Sequence, residues 1–193
     1  MAASPFLSVV VWAAYLSAAM TIVTLIAGTL SFTWMRPFGV LSDIASVLLM
    51  LLMVPLAIAT PRLLPATMQV PGVVAAVIGI AAMVVVAVGQ SLLIARQIEM
   101  EKAVKFLHAA IAVGIWLLVA NVLLLIAGSA PVGLWLAGLV AGIGYIVTMG
   151  GVLENSKMNL LYSLGGLMMC AGYAVWAIWL GRLLTTGALS LGL

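Results

Sequence analysis

Apolar residues in this chain run together rather than alternating with polar ones, in six stretches at roughly 6–30, 41–60, 71–95, 104–128, 131–153 and 159–182. A helix needs about 20 apolar residues to cross a hydrocarbon core of about 30 Å. In lipid only helices and closed barrels satisfy every backbone N–H and C=O group. The pattern therefore predicts an all-α polytopic integral membrane protein, a bundle of six transmembrane helices with short loops, forming a single transmembrane domain over 1–193.

The polar interruptions have the residues that end helices. "SFTWMRPFG" and "TPRLLPATMQVPG" carry prolines and the arginines Arg36 and Arg62, which stop a helix and sit at the interface. In "AGSAPVG", Gly128 suits a left-handed cap and Pro131 the first turn of the next helix, so the fourth and fifth spans are predicted antiparallel neighbours. "ARQIEMEKAVKFLH" has neither Gly nor Pro, and Glu101 precedes Lys105 by four residues. It predicts third and fourth helices that extend beyond the membrane surface and meet in a very short turn.

Composition strengthens this picture. The chain is 67% hydrophobic and 6% charged, with a mean hydropathy of +1.40, against about 25% charged residues in a soluble domain. The first thirty residues lack a basic leader, and their apolar run exceeds the about 7–15 residues of a signal-peptide core, which predicts a retained helix. The lone Cys170 excludes an intrachain disulfide and suits a small buried hydrophobe.

Charge sets an expected orientation. Connections after the first, third and fifth spans hold Arg36, Arg96, Lys102, Lys105 and Lys157, while the other side holds Arg62 and Arg182. By the positive-inside bias both termini are non-cytoplasmic in the cell membrane. Trp12, Trp135, Trp176 and Trp179 are expected to form an aromatic belt on the outer side. The net charge of +3 is an orientation signal and not a nucleic-acid footprint. "PLAIATPRLL" and "VWAIWLGRLL" coincide at Ala, Ile, Arg, Leu and Leu 120 positions apart, a faint repeat that places Arg62 and Arg182 at helix C-termini on one side, where a cation complements the dipole.

Catalytic chemistry is sparse. No metalloprotease, nucleophile-elbow or phosphate-loop motif occurs, and no paired intramembrane carboxylate. One histidine and one cysteine cannot build a tetrahedral metal site, so no metal, no cofactor and no enzyme activity is expected from this chain alone. His108 with a methionine or a partner chain is the one opening for haem or a pigment. Intramembrane polar residues are costly unless paired. Asn121 and Gln90 are candidates either for interhelical hydrogen bonds or, with the helix-kinking Pro55, for a solute path between the second, third and fourth spans. Asp43 is expected in the first turn of the second helix. With Glu154, Arg36 and Lys157 it forms a candidate cytoplasmic-face polar cluster. Ser156 or Asn159 is expected to cap the sixth helix, after Gly150 and Gly151 loosen the fifth.

Packing signals are clearer. Gly138 and Gly142 are one turn apart, and Ser163, Gly166 and Cys170 give the last helix a small face, so close helix–helix approach is expected there. The segments "FGVLSDIASVLLMLLMVPLAIA" and "GLMMCAGYAVWAIWLGRLL" resemble uncharacterised six-helix polytopic membrane proteins of bacteria, families defined as domains of unknown function. That resemblance implies the architecture in a bacterial inner membrane and no activity. Two function classes follow: a non-enzymatic membrane subunit or scaffold acting through helix–helix contacts, with other subunits or in a homo-oligomer within the lipid bilayer, and a small-solute carrier or channel.

Overall fold

The computed structural model of the chain describes residues 4–33, 36–154 and 160–191. Its helices are α1 (Pro5–Thr33), α2 (Arg36–Ala59), α3 (Ala66–Ile94), α4 (Met100–Leu107), α5 (Ala110–Ala127), α6 (Val132–Glu154) and α7 (Leu160–Thr185), with a 3-10 turn at Thr60–Leu63 after α2. There is no strand among the described residues. Six helical units are long and apolar enough to cross a membrane, the fourth being α4 and α5 together over Met100–Ala127. The chain is thus an all-α, six-helix, multi-pass membrane protein.

Helix ends follow local chemistry. Gly128 takes the left-handed conformation (φ 61°) expected of it. Its N–H bonds the Leu125 carbonyl and the Ser129 N–H the Leu124 carbonyl, which closes α5 with a Schellman turn. The end of α3 has the same pair of bonds, from Arg96 to Leu93 and from Gln97 to Leu92, but the left-handed residue is Arg96 (φ 56°). The third helix therefore stops at Ile94. The fourth span is broken as well. The N–H of Ala109 reaches back to Phe106, and those of Ile111 and Ala112 to His108 and Ala109, three-residue bonds that tighten the chain between α4 and α5. Asp43 lies well inside α2, which starts at Arg36 and has no acidic residue in its first turn, so the expected dipole role does not apply. α2 runs on through Pro55. α6 runs through Gly150 and Gly151 to Glu154, and the expected cap residues Ser156 and Asn159 lie outside the described residues.

Packing follows chain order around a ring: α1 on α2, α2 on α3, α3 on α5, α5 on α6, α6 on α7, and α7 back on α1. Each span buries one face and leaves the other to lipid. In α3 Val73, Val77 and Val84 are exposed, whereas Ala76, Met83 and Val86 are buried. The inner faces meet in one core that includes Met53, Leu56, Met83, Trp116, Leu117, Tyr173 and Trp176.

α6 is small-sided on two faces, and this sets the ring's tightest turn. Gly142 faces α5: a Cβ there would stand 2.8 Å from the Gly114 carbonyl oxygen, and one on Gly114 2.8 Å from that of Gly142. On its other face Gly144 lies on the backbone of Met169, and α7 returns the contact through Gly165 on the backbone of Thr148 and Gly172 on that of Ala141. With no Cβ at these crossings, the backbones come close enough for dispersion contacts to hold helices together in a solvent as apolar as they are.

Candidate functional site

The polar residues that sequence patterning singles out separate in the structure, and one of them forms the centre of the bundle. Asn121 in α5 is 0% exposed. Its Nδ2 donates to the Leu117 carbonyl at 2.8 Å, and its Oδ1 accepts the indole N–H of Trp176 in α7 at 3.0 Å. Gly138 of α6 rests against the Asn121 amide, where a side chain would overlap it. The fourth, fifth and sixth spans therefore meet at one amide group.

Aromatic rings extend this centre to the remaining spans. Trp116 stands edge-on to Trp176, with ring centroids 6.2 Å apart and an interplanar angle of 89°, a favoured arrangement of ring edge against ring face. Gly79 of α3 makes room for the Trp116 side chain. Tyr173 lies 5.8 Å from Trp176 and donates its hydroxyl to Ser17 Oγ of α1 at 2.9 Å, and Ser17 donates in turn to the Ala14 carbonyl. On the other flank Tyr145 of α6 directs its hydroxyl to the sulfur of Met53 in α2 at 3.7 Å. All six spans thus contribute to a central layer whose polar groups are mostly satisfied within it. The Trp116 Nε1 is its exception, buried without a hydrogen-bond partner.

Trp176 corrects the expected aromatic belt. It is 0% exposed and belongs to the core, while Trp12 is 65% exposed on the surface of the bundle. Hydropathy does not distinguish the two, because either side of a membrane helix is apolar. The signal was the pairing of an indole donor with an intramembrane amide acceptor.

Gln90 and Pro55 are not brought to Asn121. Gln90 lies near the end of α3, buried, with Oε1 lacking a partner. Pro55 is half-buried in α2, between the fully buried Met53 and Leu56. His108 sits at the break between α4 and α5 with a buried, unpartnered Nε2. Of the cytoplasmic-face cluster only Asp43 is described in full: Lys157 and the side chains of Arg36 and Glu154 lie outside the described residues. Gly138 and Gly142 make the close contacts expected of them, but on α7 the close-packed glycines are Gly165 and Gly172, and Gly166 has open space where a Cβ would stand. Of the expected α7 face Cys170 is buried, whereas Gly166 points about 100° around the helix from the packed Gly165. Gly114, Gly144, Gly165 and Gly172 were missed because glycine is common throughout the chain. The spacing Ala137, Ala141, Gly144, Thr148 was the usable clue.

Two hollows open on the outer surface. One of about 370 Å³ lies between α2 and α3, with Ile58, Arg62, Gln69, Val73, Val77 and Ile80 in its lining. The other, about 240 Å³, is lined by Val175, Ile178, Trp179 and Arg182. The two arginines of the sequence repeat thus occupy equivalent places, each beside an outward-facing apolar recess.

Comparison with protein-family models, curated proteins and solved structures finds no match to this chain.

Proposed function

We propose that this protein is a non-enzymatic membrane subunit that acts through its lipid-facing surface, by helix–helix contact with other membrane proteins or with a second copy. The observation that carries this reading is the central layer. Trp116, Trp176 and Tyr173 fill the middle of the ring, and Asn121 makes its hydrogen bonds to Trp176 and Leu117. A solute path needs polar groups left free to replace water around the solute, whereas the Asn121 amide oxygen, the Trp176 indole and the Tyr173 hydroxyl are bound to protein groups. The outer faces offer long runs of branched side chains, Val73, Val77 and Val84 among them, suited to packing against another helix as well as lipid.

Flux through liposomes tests the reading. Purified protein should leave the leak of protons, potassium and glycerol at the level of empty vesicles. Flux above that level that falls in an Asn121→Leu variant would count for the carrier reading. In parallel, a photo-crosslinking residue at Val77 or Ile126, both outward-facing, should capture a discrete protein product in native membranes. Lipid adducts alone from both positions would remove the support for a subunit role.

The proposal includes an orientation: the side with Arg36, Arg96, Lys102, Lys105 and Lys157 faces the cytoplasm of a bacterial inner membrane, and both termini face away. In a Cys170→Ser background, an impermeant maleimide on intact cells should label a cysteine at Thr186 and spare one at Lys102. The reverse pattern would invert the assignment.

A further inference from the structure

The hollow between α2 and α3 combines a fixed cation with an apolar recess. Arg62 lies in the 3-10 turn that ends α2, and its guanidinium stands 4.4 Å above the ring of Phe6 in α1. The ring face attracts the cation, and a guanidinium carries N–H donors that can bond a phosphate in pairs. Beside it, Gln69 is held by a 3.3 Å bond from Nε2 to the Leu64 carbonyl. Below these, Ile58, Val73 and Val77 are exposed and form a hydrocarbon-lined groove of about 370 Å³.

Among the described residues, no carboxylate side chain lies on this cation's side of the bundle. The acidic residues of the sequence are Asp43, Glu99, Glu101 and Glu154. Asp43 lies towards the start of α2, Glu99 and Glu101 follow α3, and Glu154 ends α6. With alternating helix directions, all four fall at the opposite membrane surface from the end of α2. On Arg62's side the only ionised side chains are Arg62 and Arg182. A cation at a membrane surface with an apolar groove beneath it matches one ligand in its surroundings at both ends.

We infer that the α2–α3 groove is a phospholipid-binding site, with Arg62 on the headgroup phosphate and an acyl chain along Ile58, Val73, Val77 and Ile80. The phosphate itself, common to all glycerophospholipids, is the recognised group, and the chain supplies the rest of the affinity by burial. The inference concerns a face of the protein distinct from the central layer and does not depend on the subunit reading.

Native mass spectrometry of the full chain released from detergent tests it, with phosphatidylglycerol, phosphatidylcholine and diacylglycerol of the same acyl chains. Both phospholipids should be retained and diacylglycerol lost. Arg62→Gln should lower phospholipid retention about tenfold, the scale of one charge-assisted hydrogen bond. Val77→Trp, which fills the groove from an outward-facing position, should lower it while leaving the thermal midpoint unchanged. Arg182→Gln should leave this site occupied, and inorganic phosphate should not displace the lipid. Equal retention of diacylglycerol, unchanged retention in Arg62→Gln, or an equal fall in Arg182→Gln would each overturn the site: the first would make the binding purely apolar, and the other two would make it annular or governed by total charge. Displacement by inorganic phosphate would overturn the lipid assignment in favour of a free-anion site.

Discussion

The indole N–H of Trp176 and the amide oxygen of Asn121, 3.0 Å apart, join the fourth and sixth spans through a side-chain hydrogen bond between two fully buried residues. No water reaches either group, so each depends on the other, and Gly138 holds the amide in place from a third span. Both residues lie in the C-terminal half of their helices. The contact therefore fixes both which helices meet and their register.

A double-mutant cycle measures that dependence. Asn121→Leu removes the acceptor with little change of shape, and Trp176→Phe removes the donor while keeping an aromatic ring. Each single variant should be less stable, and the two together should be less harmful than their sum. Coupling of about 0.6–1.7 kcal/mol is expected for such a bond in a membrane bundle, read from unfolding in mixed micelles. Strict additivity would mean that the bond carries no energy.

Glycine substitutions separate the α5-facing side of α6 from an idle position on α7. Gly142→Ala places a Cβ 2.8 Å from the Gly114 carbonyl oxygen, a backbone atom that cannot rotate away. Gly138→Ala intrudes on the Asn121 amide. Each should cost about 1–3 kcal/mol through overpacking. Gly166→Ala, with open space at that point, should be neutral or gain up to about 1 kcal/mol from helix propensity. Equal losses at all three positions would contradict the helix faces described above.

How much of this was legible in the sequence depends on the residue. The six spans, the Gly128 cap and the close approach at Gly138 and Gly142 follow from apolar run length, left-handed backbone preference and small-residue spacing, all of them local signals. Trp176 was misplaced because belt and core positions on a membrane helix are equally apolar, so hydropathy does not report which way a ring faces. The α4–α5 break was hidden for another reason: no Pro or Gly marks it, and the tightening at His108 and Ala109 lies in backbone bonds. The choice of Gly165 over Gly166 is set by how α7 is rotated against α6, a tertiary property.

Arg96 offers a gain in stability. It takes a left-handed conformation (φ 56°) at the end of α3, which costs an L-residue with a side chain about 1 kcal/mol relative to glycine. Arg96→Gly should raise stability by up to that amount, and Gly128→Ala, at the matching position after α5, should lower it by a similar amount. Thermal midpoints of the two variants in one detergent check the pair. A loss in Arg96→Gly would reveal that the arginine side chain contributes more than its backbone costs.

Cys170 reports on whether α7 stays docked. It is the only cysteine in the sequence, is 4% exposed, and lies between Gly165 and Gly172, the glycines that seat α7 on α6. A thiol must reach the reagent as a thiolate to be alkylated, so N-ethylmaleimide, which crosses membranes, should modify the native protein slowly and the SDS-unfolded protein at once. Each tenfold of protection corresponds to about 1.4 kcal/mol of opening free energy when reclosing outpaces labelling. Gly144→Ala and Gly165→Ala, which push α6 and α7 apart at the Met169 and Thr148 backbones, should accelerate labelling, while Gly166→Ala should not. Rapid, complete labelling of the native wild-type chain would place Cys170 on an open face and contradict the α6–α7 packing described above.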